Sequence, residues 1–274
     1  MTRKLVLFSV IKNINLLFET DLWRDVILIV DNDHRKHGQY VNGVLVVGLE
    51  NILSVDYDEI IILSWAYNQI KSQLLSVGVS NNVISSINKR LVTISVFKEP
   101  DVRQIAMAFI SDLCKFADGR RLKLFIEAGT LLGIVRDKDL IPWDTDIDFS
   151  IHKSDFISAF DMLFDFSISF SSAYKLIINP IVEGSDQITG EIIVYNTSIP
   201  FDVFTRTNEC ELSLSTSGDF FTCNSMHFKS SEKIIYDNYY FTAPADYRNY
   251  LSSLYGNDWA VPKFNFTYAD FNYN

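Results

Sequence analysis

The chain has 274 residues, of which 48% are hydrophobic and 21% charged, with a formal net charge of −10. That balance is globular rather than disordered, and the length suffices for one large domain or two ordinary ones. The acidic excess argues against electrostatic capture of nucleic acid or of an anionic lipid surface.

Cys114, Cys210 and Cys223 are widely spaced and odd in number, so neither a zinc spacing nor a disulfide framework emerges and a reducing compartment is expected. The opening MTRKLVLFSVIKN has too short an apolar core for a signal peptide. No apolar run reaches the ~18 residues of a membrane span. The expectation is a cytoplasmic protein without a transmembrane segment.

The first part of the chain alternates strand-like and helix-like runs. Leu5 to Val10 reads as a short strand, Ile14, Leu16, Leu17 and Phe18 as a helix, and VILIVDND as a buried strand ending in acid. VLVVG and EIIILS read as two more strands. WAYNQIKSQLLSVG reads as a helix with Ile70, Leu74 and Leu75 inward and Gly78 as its stop. Such alternation predicts a parallel sheet with helices on its faces. The stretch VILIVDNDHRKHGQYVNGVLVVGLENIL resembles the Rossmann-like half-domain of polysaccharide-biosynthesis proteins, through its acid-ended strand, Gly38, Asn42-Gly43 and the VVG strand. A nucleotide role would put Asp31 or Asp33 on a ribose. The first strand-helix turn, Ser9 to Asn13, has none of the glycines that admit a pyrophosphate. A scaffold, or a docking site for a protein partner, is therefore expected of this half. His34 and His37 lie in a polar turn and are read as solvated rather than as ligands.

The pattern changes around Lys98-Glu99-Pro100, which sets the expected domains at 1–98 and 99–274. Asp101 to Ala117 reads as a helix, with Ile105, Ala108, Phe109, Leu113 and Phe116 at helical spacing, Cys114 in the core and Gly119 at its end.

The densest stretch follows, EAGTLLGIVRDKDLIPWDTDIDFSI, from Glu127 to Ile151. An apolar lead-in (Leu122, Leu124, Ile126), the Gly129-Thr130 pair, Arg136 and the Pro142-Trp143 break predict strand, tight turn, helix, loop and strand. Glycine lets a ligand approach the backbone, and the first amides of the helix face an anion. Thr130 caps that helix or binds phosphate with its hydroxyl. From Asp146 to Ile151 polar and apolar residues alternate, so Asp146 and Asp148 project side by side from one strand face. Neighbouring carboxylates repel unless a cation lies between them, and hard oxygen ligands with open positions suit magnesium bound with phosphates. An EF-hand counted from Asp144 fails, because Phe149 and Asp155 stand where Gly and Glu are needed. A solvated acidic edge strand is the plain alternative.

These residues resemble the signature of the LicD/fukutin group, a branch of the nucleotidyltransferase-fold superfamily, G-T-L-L-G-x-x-R-x-K-x-x-I-P-W-D-D-D-I-D. Gly129, Thr130, Leu131, Leu132, Gly133, Arg136, Lys138, Ile141, Pro142, Trp143, Asp144, Asp146, Ile147 and Asp148 match it. Asp137, Asp139 and Thr145 depart, standing where the family usually has His, Gly and Asp. The resemblance covers about Asp101 to Lys263. It implies an α+β nucleotidyltransferase-like domain after the Rossmann-like α/β domain.

Beyond the signature, Ser154 to Phe166 reads as a helix, and Tyr174 to Asn179, Glu191 to Asn196 and Phe201 to Thr205 as strands. In IPFDVF, Asp202 lies between apolar neighbours, where an unpaired carboxylate is costly to bury. By resemblance Asp202 is a third carboxylate beside Asp146 and Asp148; an acid on the wet face of an edge strand is the alternative. Glu183, Asp186 and Asp219 lie in loop-like settings. PADYRNYLSSLYGNDWAVPKF reads as a helix opening at Pro244 and stopping at Gly256, with Tyr247, Tyr250, Leu251 and Leu254 on one face. Its Tyr255-Gly256 pair and Pro262 resemble the closing segment of the family.

The resemblance implies a magnesium site, with manganese as the other candidate ion, held by Asp146, Asp148 and Asp202 on the pyrophosphate of a CDP-alcohol donor. Gly129, Thr130 and Arg136 would neutralise the donor oxygens, with Lys138, Trp143 and Asp144 completing the substrate contacts. Trp143 either stacks on a base or sugar or anchors the core. A phospho-alcohol of the phosphocholine or polyol-phosphate class would pass to a sugar hydroxyl of a bacterial surface glycan, free or lipid-linked. Two other classes remain open: a DxD metal-dependent glycosyltransferase using a sugar nucleotide, and a non-catalytic nucleotide-binding module.

Overall fold

The computed structural model describes residues 3–216, 221–263 and 265–270. They divide into two compact units, one comprising the chain up to Thr93 with the returning stretch from Lys263, the other running from Ile94 to Pro262.

In the first unit, β1 (Leu5–Phe8), β2 (Val26–Val30), β3 (Tyr40–Val41), β4 (Val44–Val47), β5 (Glu59–Ile62) and β6 (Ile84–Ser86) form one sheet ordered β3-β4-β2-β1-β5-β6. Every neighbouring pair is parallel except the β3–β4 hairpin. Setting β3 aside, the strands lie in the chain order third, second, first, fourth, fifth, which is the order of a Rossmann sheet. The strands are continuous apolar runs because both faces are covered. Leu5, Leu7, Ile29 and Ile61 enter one core layer, and Val6, Phe8, Leu28, Val30, Ile60 and Ile62 the other.

Two helices belong to this unit, α1 (Asp21–Arg24) and α2 (Tyr67–Ser76). α2 buries Tyr67, Ile70 and Leu74, and Gly78 follows it at φ +94°. Leu75 was expected inward but is 43% exposed, because one residue past Leu74 turns it about 100° off the buried stripe. The expected helix at 14–18 is a single 3-10 turn, Ile14–Leu17.

The C-terminal stretch also differs from the expected domain 99–274. Tyr268 packs against both core layers of the first unit, and its N–H donates to Ser86 Oγ at 3.1 Å. The Lys89 N–H donates to the Phe266 carbonyl at 3.1 Å, and Thr267 bridges to Asn88. These contacts carry the chain back to the first unit.

The second unit begins with α3 (Pro100–Gly119), whose first position suits proline since its missing N–H has no partner there anyway. Then come β7 (Phe125–Ile126), α4 (Ala128–Arg136), β8 (Ile147–His152), α5 (Phe156–Ser169), β9 (Lys175–Ile178), β10 (Gln187–Val194), β11 (Thr197–Glu209), β12 (Leu212–Ser215), β13 (Cys223–Asn224), α6 (Met226–Lys229), β14 (Ser231–Tyr236), β15 (Tyr239–Pro244) and α7 (Tyr247–Tyr255). Strands β13-β12-β11-β10-β9 form an antiparallel path, β8 joins β11 in parallel, and β7 pairs antiparallel with β8. β14 and β15 form a separate hairpin.

The alternating burial of β10 and β11 follows the two-residue period of a strand. Ile188, Ile192, Val194, Ile199, Phe201 and Val203 are all buried. α3 and α5 close this core through Phe109, whose ring lies 6.0 Å from Phe201 and 5.8 Å from Phe166. Cys114 is buried there too, and burial pushes its thiol up to about 12, so it is inert core as expected. Pro244 does not open the last helix; it ends β15, a place that tolerates a missing N–H donor. α7 starts at Tyr247 and stops before Gly256, which adopts φ +87°.

Candidate active site

Phe201–Arg206 of β11 pairs in parallel with Ile147–His152 of β8, and the register sets Asp202 opposite Asp148. Neighbouring strands lie about 4.8 Å apart, so the two side chains leave the same face as neighbours. Asp146, two residues before Asp148, shares that parity. Ile147, Phe149, Ile151, Phe201 and Val203 take the other face and are buried. The apolar face thus dictates where the carboxylates point.

The turn between β7 and α4 is built around Asp148. The Glu127 N–H donates to the Asp148 carbonyl at 3.0 Å, and the Asp148 N–H donates to Thr130 Oγ1 at 2.9 Å. Thr130 is only 1% exposed, so its hydroxyl ties α4 to the carboxylate strand. Between these anchors Ala128 takes the left-handed φ of +46°, a strained position for a residue with a Cβ. At Gly129 a Cβ would lie 2.1 Å from Asp144 Oδ2, so the Asp144 carboxylate sits against the first turn of the helix. At Gly133 a Cβ would meet the Asp139 carbonyl oxygen at 2.7 Å and the Ile141 nitrogen at 3.0 Å. The returning loop packs directly on α4 there.

Electrostatics mark this face. Burial, then Asp146, Asp144, Asp202 and Glu127, hold the Asp148 carboxyl well above the ordinary carboxylate range. Burial and then Asp146 push Asp202 up to about 6, against a hydrogen bond from Gln187 that favours the charged form. Thr145 Oγ1 donates to Asp146 Oδ1 at 3.1 Å. Among the described residues, no three His, Cys, Asp or Glu side chains already converge as a metal cage. Mutually repelling carboxylates in one register fit a hard divalent cation by donor chemistry, since a cation among them would offset the charges acting on Asp148.

The other expected contact residues have partners of their own. Arg136 ends α4 with its side chain 7% exposed and forks onto Asp137, Nε at 2.8 Å and Nη2 at 2.6 Å. Lys138 turns to the β14–β15 hairpin, its Nζ 5.4 Å from the Tyr236 ring centre and its carbonyl accepting from the Tyr236 hydroxyl at 2.8 Å. Trp143 is half-buried. Asp139 is held by Arg103 Nε at 2.7 Å. Asp186 pairs with Lys153 at 2.5 Å, Glu183 is exposed, and Asp219 lies outside the described residues.

In the first unit the acid at the end of β2 is committed to its own chain. Asp31 accepts from the Val10 N–H at 2.7 Å, the Asp33 N–H at 2.8 Å and Lys36 Nζ at 2.9 Å. Asp33 is taken by Arg35 at 2.8 Å. His34 is exposed as expected, whereas His37 is half-buried with Nε2 2.8 Å from the Asp31 carbonyl oxygen, because the turn folds back under β2.

Residues 121–179 match the LicD/FKTN/FKRP nucleotidyltransferase-domain family. That match ties the stretch to transferases of glycan modification. Residues 2–85 match a second family, C2185-like, N-terminal. No curated protein matches the chain. Among solved structures, a dehydrogenase (MviM) from Clostridium difficile shows 11% identity over 89% of this chain and 83% of its own, with a TM-score of 0.25. A Gfo/Idh/MocA family oxidoreductase from Vibrio cholerae shows 11% identity over 95% and 91%, also at 0.25. Likeness at that score carries no argument about either unit.

The LicD stretch contains the α4 turn, Asp146 and Asp148, but Asp202 lies beyond it and joins by strand pairing alone. Four further residues around this face were not expected as site residues: Glu127, Arg206, Tyr250 and Tyr255. Glu127 is fully buried, with Oε1 accepting from Arg206 Nε and Ser150 Oγ, both at 2.6 Å, and Oε2 accepting from the Tyr250 hydroxyl. Burial and then Asp148, Asp144 and Glu127 push the Tyr255 hydroxyl upward, with Arg136 opposing. The one signal in the sequence was a glutamate on an apolar strand just ahead of the Gly-Thr pair.

Proposed function

We propose that the second unit is a nucleotidyltransferase-like catalytic domain of LicD type that moves a phospho-alcohol from a CDP-activated donor to a sugar hydroxyl of a glycan. The observation that carries this reading is the register that sets Asp202 opposite Asp148, with Asp146 on the same face. Asp146, Asp148 and Asp202 would hold magnesium or manganese. When bound, the ion supplies charge neutralisation at the transferring phosphoryl group.

The remaining work falls to the chain. Asp202, opposite Asp148 on the shared face, would accept the proton of the attacking sugar hydroxyl. Arg136 ends α4, and a donor phosphate would compete with Asp137 for its guanidinium. Thr130 and Glu127 hold the peptide groups of Asp148 in place. No helix among the described residues is long and apolar enough to cross a membrane.

The test is incubation of the protein with magnesium and a panel of CDP-alcohols and sugar nucleotides. Release of CMP from a CDP-alcohol is the expected result. Release of UDP or CDP from a sugar nucleotide instead would make the domain a glycosyltransferase, and release of neither would remove the catalytic reading.

A further inference from the structure

The carboxylate face has a buried polar support that the proposed chemistry does not use. Glu127 and Arg206 form an ion pair with both side chains fully shielded, Nε to Oε1 at 2.6 Å. The rest of the guanidinium is equally committed. Nη2 donates to the Tyr250 hydroxyl at 2.8 Å, Nη1 donates to the Phe221 carbonyl at 3.0 Å, and the group lies 3.9 Å from the centre of the Phe228 ring. Burying such a pair is expensive, and a well-packed apolar cluster of the same volume often serves stability as well or better.

The position of the pair explains what it is for. Glu127 reaches β8 twice, and Thr130 of the same turn reaches it once. The Glu127 N–H bonds the Asp148 carbonyl, its carboxylate accepts from Ser150 two residues on, and Thr130 takes the Asp148 N–H. The same carboxylate reaches β11 through Arg206, four residues beyond Asp202 and on the same strand face. Tyr250 braces the pair from α7. One carboxylate therefore links the two strands that carry Asp148 and Asp202, two to four residues further along them.

We propose that Glu127 and Arg206, braced by Tyr250, are positioning residues that fix the Asp148–Asp202 spacing for a divalent cation. The proposal rests on the reading of that face as the metal site. Groups that orient metal ligands without touching the ion commonly cost 10–100-fold in metal affinity or activity when altered.

The experiment compares the full-length parent with Glu127→Gln and Tyr250→Phe, using manganese as the probe. Manganese affinity is read by electron paramagnetic resonance, folding by circular dichroism, and CDP-alcohol cleavage by CMP release. Glu127→Gln is expected to weaken manganese binding by about 10–100-fold and Tyr250→Phe by about tenfold, with kcat falling and the donor KM unchanged. Tyr250→Phe keeps the ring and removes only the hydroxyl, so it decides the matter if Glu127→Gln does not fold. A lowered Tm with manganese affinity and kcat within about twofold of the parent would reduce the pair to a stability element and overturn the proposal. A parent that neither binds manganese nor cleaves a donor overturns the metal-site reading itself. A parent that binds, beside variants that bind equally well, overturns the clamp alone.

Discussion

Asp202 of β11 stands opposite Asp148 of β8 across a parallel pairing of two segments far apart in the chain. The pairing turns two unrelated acidic positions into one carboxylate pair, and most of what can be tested follows from it.

Asp146→Asn should abolish transfer while leaving the fold intact. The change keeps shape and removes one of the charges on which a magnesium site depends. The expected loss is on the order of a thousandfold or more in CMP release. Activity within about tenfold of the parent, with unaltered magnesium dependence, contradicts the assignment.

Asp202→Asn should stabilise the metal-free protein at pH 8. The folded carboxyl is raised from 3.8 to about 6, so its favourable contribution is complete below the unfolded value and is lost as pH rises through about 6. Above that the charged carboxylate is a net cost, on the order of 2 kcal/mol or less for this half-buried group. Thermal unfolding of parent and variant from pH 4 to pH 8, without divalent ions, should show the difference appearing only on the alkaline side. Magnesium should raise the Tm of the parent and not of the variant.

Gly133→Ala and Gly129→Ala should differ in kind. At Gly133 the new methyl meets backbone, the Asp139 carbonyl and the Ile141 nitrogen, and neither can swing away. A loss of about 1–3 kcal/mol in chemical denaturation is expected. At Gly129 the obstacle is the Asp144 carboxylate, which can rotate aside. That variant should unfold near the parent midpoint and show altered donor KM.

Tyr268→Ala should destabilise the first unit, because its ring packs against both layers of that core. The expected cost is about 2 kcal/mol for a half-buried aromatic. Hydrogen exchange should locate the loss in β1, β5 and β6 and leave β8 and β11 protected; uniform loss across both units would contradict the division.

Asp31→Ala should loosen the same unit, because the Val10 and Asp33 amides and Lys36 lose their shared acceptor. About 2 kcal/mol is expected. Nucleotides added to the parent should leave the unfolding of this unit unchanged, since the acid that would meet a ribose is already engaged; micromolar binding to residues of the β1–β2 turn would overturn that.

Much of this was legible in the sequence, for physical reasons. The continuous apolar run Leu5–Phe8 announces a strand buried on both faces, and the alternation from Asp146 to Ile151 fixes which side its carboxylates take. The absence of glycine from Ser9 to Asn13 already told against a dinucleotide turn. Local period and turn chemistry are properties of neighbouring residues, so a linear reading reaches them. Only the tertiary structure decided the rest. Pairing register is a property of two distant segments, so Asp202 beside Asp148 was an expectation of family resemblance only, and no local pattern could set Arg206 beside Glu127. Likewise the returning stretch around Tyr268 carries no boundary signal of its own; it belongs to the first unit because that core has room for its ring. The family resemblance implied a donor-phosphate role for Arg136, and only the fold shows its guanidinium forked onto Asp137.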